Sequence, residues 1–148
     1  MRAIAFFPDV LRLNGGEFEG EPFRRLDRQQ FIVGSLFGWL RADGTRRFRE
    51  AYVEGGKGCG KSPLAAGVGL FTLVADGEPR AEVYAAATRR DQAVVLFRDA
   101  MAMVQQSPAL ARAVKTACGI WVSAGKARSS GRSPVTKAGR AGRARIAA

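Results

Sequence analysis

The segment Gly55-Gly56-Lys57-Gly58-Cys59-Gly60-Lys61-Ser62 satisfies the pattern GxxxxGK[ST], and it constrains the fold more than any other stretch of the chain. The motif is expected to follow a strand and to open a helix. Its glycines let backbone N–H groups turn inward around phosphate oxygens. Lys61 supplies a positive charge to the β and γ phosphates, and the Ser62 hydroxyl is a ligand for Mg²⁺. A helix opening at Lys61 would aim the positive end of its dipole at the same anion. Pro63 fits that helix start, because a first-turn residue needs no intrahelical partner for its N–H. The residues implied in holding ATP and Mg²⁺ are therefore Gly55, Gly56, Lys57, Gly58, Cys59, Gly60, Lys61 and Ser62, with Ser62 on the metal. A glycine-rich structural turn is the competing reading.

The flanking sequence supplies both neighbours. Phe48 to Val53 is short and apolar enough for a buried strand, and Leu64, Val68, Phe71 and Val74 recur at helical intervals over Lys61 to Ala75. Asp76-Gly77-Glu78-Pro79 closes that helix. Ala81 to Ala87 reads as a second strand, and Thr88 is a candidate cap for a helix whose apolar face is Val94, Val95, Phe97, Met101 and Val104. Ser107-Pro108 ends it. Upstream, Phe31, Ile32, Leu36, Trp39 and Leu40 mark an amphipathic helix over 28–41, with Trp39 expected in the core and a turn at Asp43-Gly44. Residues 1–27 are mixed. Alternating strands and helices imply an α/β fold: a P-loop NTPase-type parallel sheet flanked by helices.

The net charge of +11 invites a nucleic-acid reading, but its distribution weakens it. All 13 acids lie at or before Asp99 with 15 of the 24 Lys and Arg, which leaves +2 there and +9 in residues 100–148. From about Ala111 the sequence turns to Ala, Gly, Ser, Lys and Arg, with no hydrophobic period over Gly125 to Ala148. Such a tail cannot bury enough surface to offset chain entropy, so it is expected to be disordered. It suits salt-sensitive nucleic-acid attachment or a translation by-product, and Trp121 is its single aromatic.

The composition also excludes function classes. With no histidine there is no Ser-His or Cys-His hydrolase, and Cys59 and Cys118 alone make no zinc site. Two lone thiols fit a reducing compartment, with one disulfide as the alternative. No apolar run reaches the roughly 18 residues of a membrane span, so a cytoplasmic protein is expected. Hydrolysis by a P-loop ATPase also needs an acid at the end of a later apolar strand. Asp76 and Asp99 each end an apolar run, yet both lie on expected helices, and no carboxylate follows Asp99. Catalytic residues cannot be assigned.

Four segments in register resemble the large terminase subunit of tailed bacteriophages, the ATPase motor that drives DNA into the capsid. They are Gln29-Gln30-Phe31-Ile32-Val33-Gly34-Ser35-Leu36-Phe37-Gly38-Trp39; Thr45-Arg46-Arg47-Phe48-Arg49-Glu50-Ala51; Lys57-Gly58-Cys59-Gly60-Lys61-Ser62-Pro63-Leu64-Ala65-Ala66-Gly67; and Glu82-Val83-Tyr84-Ala85-Ala86-Ala87-Thr88-Arg89-Arg90-Asp91-Gln92-Ala93. The resemblance implies that Gln29, or its neighbour Gln30, reads the adenine. Lys57 stands where the family usually has Arg, and Cys59 where it has Asn. Solvated-helix readings remain open for Gln29 and Gln30, and a solvated charge pair for Arg46 and Arg47.

The expected organisation is a partial ATPase domain over 1–110 and a basic low-complexity tail over 111–148. The family's acidic strand, coupling motif and nuclease domain have no counterpart here, as a truncated or frameshifted gene would give. The resemblance implies double-stranded phage DNA, the portal and the small terminase subunit as partners, a ring of copies, and host cytoplasm as location. The alternatives are a small basic nucleic-acid-binding protein and another P-loop ATPase.

Overall fold

The computed structural model describes residues 2–24, 26–78, 81–86, 90–117 and 144–147. The elements run α1 (Arg2–Val10), a 3₁₀ turn (Gly16–Phe18), α2 (Asp27–Gly38), α3 (Lys61–Val74), β1 (Val83–Ala86), α4 (Arg90–Gln106), α5 (Pro108–Ala117) and β2 (Ala144–Ala147). The helix α3 is the hub, in contact with α1, α4 and α5. Its sequence is apolar almost all round, which requires cover on several faces. Leu64, Ala66, Leu70 and Phe71 are buried there.

The helix α1 covers one of those faces. Ala3, Phe6, Phe7 and, just beyond its end, Leu11 are buried at helical spacing. Full burial of a side chain such as Phe7 or Leu11 contributes roughly 2 kcal/mol. Close approach depends on Gly67, where a Cβ would sit 2.7 Å from a ring carbon of Phe7 and 2.9 Å from Leu11. Phe6 and Phe37 meet the Phe71 ring edge-on at centroid distances of 5.3 and 4.7 Å. On the other side Met103, Val104, Leu110 and Val114 complete the core.

Several expectations shift. Residues 48–53 form no strand, and Tyr52 is 88% exposed. Among the described residues no ladder partner flanks this segment, and strand propensity without one leaves the backbone irregular. The sheet among the described residues has two strands, β1 and β2, paired in parallel with Val83 opposite Ala144 and Ala86 opposite Ala147. The change of character at Ala111 falls inside α5, whose Leu110 and Val114 are core residues one turn apart. Strand β2 also lies within the stretch expected to be disordered. The rest of that expectation, over 118–143, lies outside the described residues, as does the Thr88 cap.

The helical faces are displaced as well. On α2 the buried positions are Gln29 and Val33, while Phe31, Trp39 and Leu40 are exposed. Trp39 is therefore not core. On α4 Leu96, Met103 and Val104 turn inward, and Val94, Val95 and Phe97 lie on the surface. Arg46 and Arg47 are not a free solvated pair. Arg46 forms an ion pair with Asp76 and lies 4.5 Å over the Phe37 ring, and Arg47 lies 5.4 Å over Trp39.

Candidate functional site

The glycine-rich loop leads into α3 through two left-handed residues, Gly58 (φ +81°) and Gly60 (φ +75°). An L side chain at either would be strained, so glycine is needed for the backbone path itself. The path is also crowded. A Cβ on Gly55 would lie 2.7 Å from Cys59 Sγ, and one on Gly60 would lie 2.9 Å from Gln29 Nε2. Cys59 N–H donates to the Gly56 carbonyl at 3.4 Å, which closes the turn.

Lys61 and Ser62 open α3 as the pattern requires. Leu64 N–H makes the first backbone bond of the helix, to Gly60 O at 3.2 Å. Preceding amides in the first turn have no intrahelical acceptor, and Pro63 has none to satisfy. The Lys61 ammonium donates to the carbonyls of Gly55 and Gly56, the latter at 3.0 Å, and approaches Cys59 Sγ at 3.7 Å. A cation, an oriented helix N-terminus and the left-handed Gly60 thus meet where the loop enters α3; Gly55, Cys59, Gly60 and Lys61 line the cleft there, and Gly56, Lys57, Gly58 and Ser62 do not. That combination is suited to a polyphosphate. Lys57 is exposed on the loop beside them.

The first turn of α2 grips this loop from outside. Arg28 Nη2 donates to Cys59 O at 2.8 Å, and Gln29 Nε2 to Gly60 O at 3.5 Å. Gln29 Oε1 accepts from Leu26 N–H at 3.0 Å. Leu26 has no side-chain acceptor to return, so only half of a capping box exists. Between α2 and the loop lies a cleft of about 290 Å³ walled by Phe31, Ile32, Val53, Glu54 and Leu64 with the loop residues. Gln29 lines it; Gln30 is exposed and does not.

The two acidic alternatives stand away from this cleft. Asp76 follows α3 and is held by Arg46; Asp99 lies within α4. Burial pushes the Asp99 carboxyl above its ordinary value, against the opposing charge of Arg98. Sequence patterning missed Arg28 and the apolar wall. Phe31, Ile32 and Leu64 were visible as helical periods and Val53 in an expected strand, but no spacing signals that the fold brings them together beside Arg28. Only the adjacency of Arg28 to Gln29 hinted at it.

Known proteins are similar to this chain. Residues 27–119 match the family model described as the terminase large subunit, ATPase domain. The crystal structure of the HK97 bacteriophage large terminase is similar, with a TM-score of 0.63 and 26% identity over 75% of this chain. The chain spans 22% of that protein's length. No curated protein matches it. With more than half of its length under the family model, and with the loop, α2 and α3 inside the matched span, the chain belongs to the ATPase-domain family of terminase large subunits.

Proposed function

We propose that this chain binds ATP with Mg²⁺ at the loop, as the nucleotide-holding segment of a motor that packages phage DNA. The observation carrying the proposal is the meeting of Lys61, the α3 N-terminus and the left-handed Gly60 at one cleft. Residues Gly55 to Ser62 would surround the phosphates, with Lys61 neutralising charge and Gln29 in the cleft wall. Among the described residues no three carboxylates, thiols or imidazoles converge, so Mg²⁺ would rest on Ser62 and phosphate oxygens. The bound nucleotide supplies the phosphoanhydride; the chain's residues bind and orient it.

The same reading places the chain in a P-loop-type parallel sheet flanked by helices, supported by the parallel pairing of β1 with β2. Asp76 and Asp99 lie outside the cleft, and Glu54, the carboxylate in its wall, precedes the loop rather than ending a later strand, so hydrolysis would need an acid from elsewhere. Double-stranded DNA, a portal, a small subunit and a ring of copies are the partners such a segment would serve, in host cytoplasm. Among the described residues no helix is long and apolar enough to cross a membrane. Titrating Mg·ATP into the full chain and into Lys61→Ala tests the reading. Saturable binding is expected for the wild type, with about a hundredfold loss in the variant, as removal of a charge-assisted contact to phosphate implies. Equal binding by both would favour a basic nucleic-acid-binding protein instead.

A further inference from the structure

Resting on that nucleotide reading, we infer that Arg28 is a positioning residue for the phosphate site: it fixes the direction of the Gly60 amide, which then donates to a phosphate oxygen. The observation behind it is the bond from Arg28 Nη2 to Cys59 O at 2.8 Å, made across 31 residues of sequence. The peptide unit joining Cys59 to Gly60 is trans, so its C=O and N–H point in opposite directions. Holding the carbonyl toward α2 therefore turns Gly60 N–H away from α2. Among the described residues that N–H donates to no acceptor within the protein, and it stands next to Lys61 at the opening of α3.

This peptide unit needs an outside hold. Gly60 is left-handed at φ +75° and has no Cβ, so rotation of the unit toward the opposite sign of φ meets little steric resistance. A flipped unit would present a carbonyl oxygen to the phosphates in place of the amide, and that oxygen repels an anion. The preceding unit is fixed by the turn bond from Cys59 N–H to Gly56 O, and the following one by the bond from Leu64 N–H to Gly60 O. Between them, among the described residues, Arg28 is the one donor to Cys59 O.

Folding does not account for the contact. Arg28 is exposed, and an exposed guanidinium bonded to a carbonyl gives up side-chain freedom for little net stability. A guanidinium suits the hold, because its rigid planar fork sets the direction of the N–H it uses.

The test compares the full chain with Arg28→Met, which keeps a long side chain and loses the donor, and with Arg28→Lys, which keeps a donor. Mg·ATP and Mg·tripolyphosphate, the latter having no base, are titrated into each while the Gly60 amide resonance is followed. Arg28→Met should weaken both ligands by one common factor of about tenfold, as loss of one amide bond to a charged phosphate implies. That factor should be the same at ionic strengths of about 0.01 and 1 M, because the effect passes through a peptide unit and not through the charge of the guanidinium. Gly60 N–H should move downfield with ligand in the wild type and stay in place in Arg28→Met, while the amide spectrum elsewhere keeps its dispersion. Arg28→Lys should bind within about threefold of the wild type. Undiminished affinity in Arg28→Met, or a Gly60 amide that responds equally in both proteins, would overturn the inference. So would a loss that vanishes at high salt, which marks a direct contact between guanidinium and phosphate. A wild type that binds neither ligand would overturn the nucleotide reading itself, and this inference with it.

Discussion

Gly60 and Gly67 lie seven residues apart on the same loop-and-helix unit, and they are glycine for different reasons. At Gly60 the backbone is left-handed, and the crowding comes from one amide of Gln29. At Gly67 the backbone is ordinary helix, and the crowding comes from the Phe7 ring of α1 and a methyl of Leu11 just beyond it. On the proposed reading one glycine shapes a surface for an anion; the other lets two helices close. If the proposal holds, function and stability divide along a single element, the N-terminal turn of α3 serving the ligand and its body serving the core. Substitutions at the two ends should separate cleanly.

The largest effect is expected in the body. Phe7→Ala removes a fully buried ring from between Gly67 and Phe23 and should cost about 3–5 kcal/mol in a denaturant titration. Gly67→Val overpacks the same contact and should cost about 2 kcal/mol, since the clash outweighs the relief of glycine's helix penalty. If Gly67→Val were neutral, α1 would not lie where it does. Gly60→Ala, at the other end, should cost about 1 kcal/mol for a forced left-handed residue. Its loss of nucleotide affinity should nonetheless exceed that of Gly67→Val at any temperature where both remain folded. The reverse order would erase the division drawn above.

The smallest effect concerns the turn at Asp43-Gly44, closed by an isolated antiparallel bridge between Leu40 and Arg46. Thr45's hydroxyl and then its amide hold the Asp43 carboxyl below the ordinary carboxylate value. A depressed folded value means that the ionised form supports the turn. Its contribution is present above the ordinary value and is lost as the pH falls through the depressed one. The protection of the Thr45 amide, its exchange rate taken relative to the intrinsic rate at the same pH, should therefore fall on strong acidification, and in Asp43→Ala it should be low at every pH.

How legible each region was follows from the range of its interactions. The loop, α3 and β1 could be read because their signals are local: fixed spacing, a helix period and a short β-rich run. The strand expected at Phe48 to Val53 could not be judged locally, since a strand exists only with a neighbour. The register of α2 went astray because Phe31 and Trp39 look like core by residue type. The structure instead buries Gln29, whose amide serves the loop and the helix cap. Helix α5 was hidden in an Ala-rich stretch where only Leu110 and Val114 carry the period. The Arg28 contact with Cys59 O spans 31 residues and left no pattern to find.

The central claim, that Gly55 to Ser62 is a working phosphate cradle, is tested most directly by following the backbone amide resonances of the full chain while Mg·ATP is added. The account predicts saturable shifts concentrated at Gly58, Gly60, Lys61 and Ser62, with weaker ones at Phe31, all abolished in Lys61→Ala. Shifts confined to the basic residues beyond Ala117, or loop resonances that do not respond at saturating nucleotide, would contradict it.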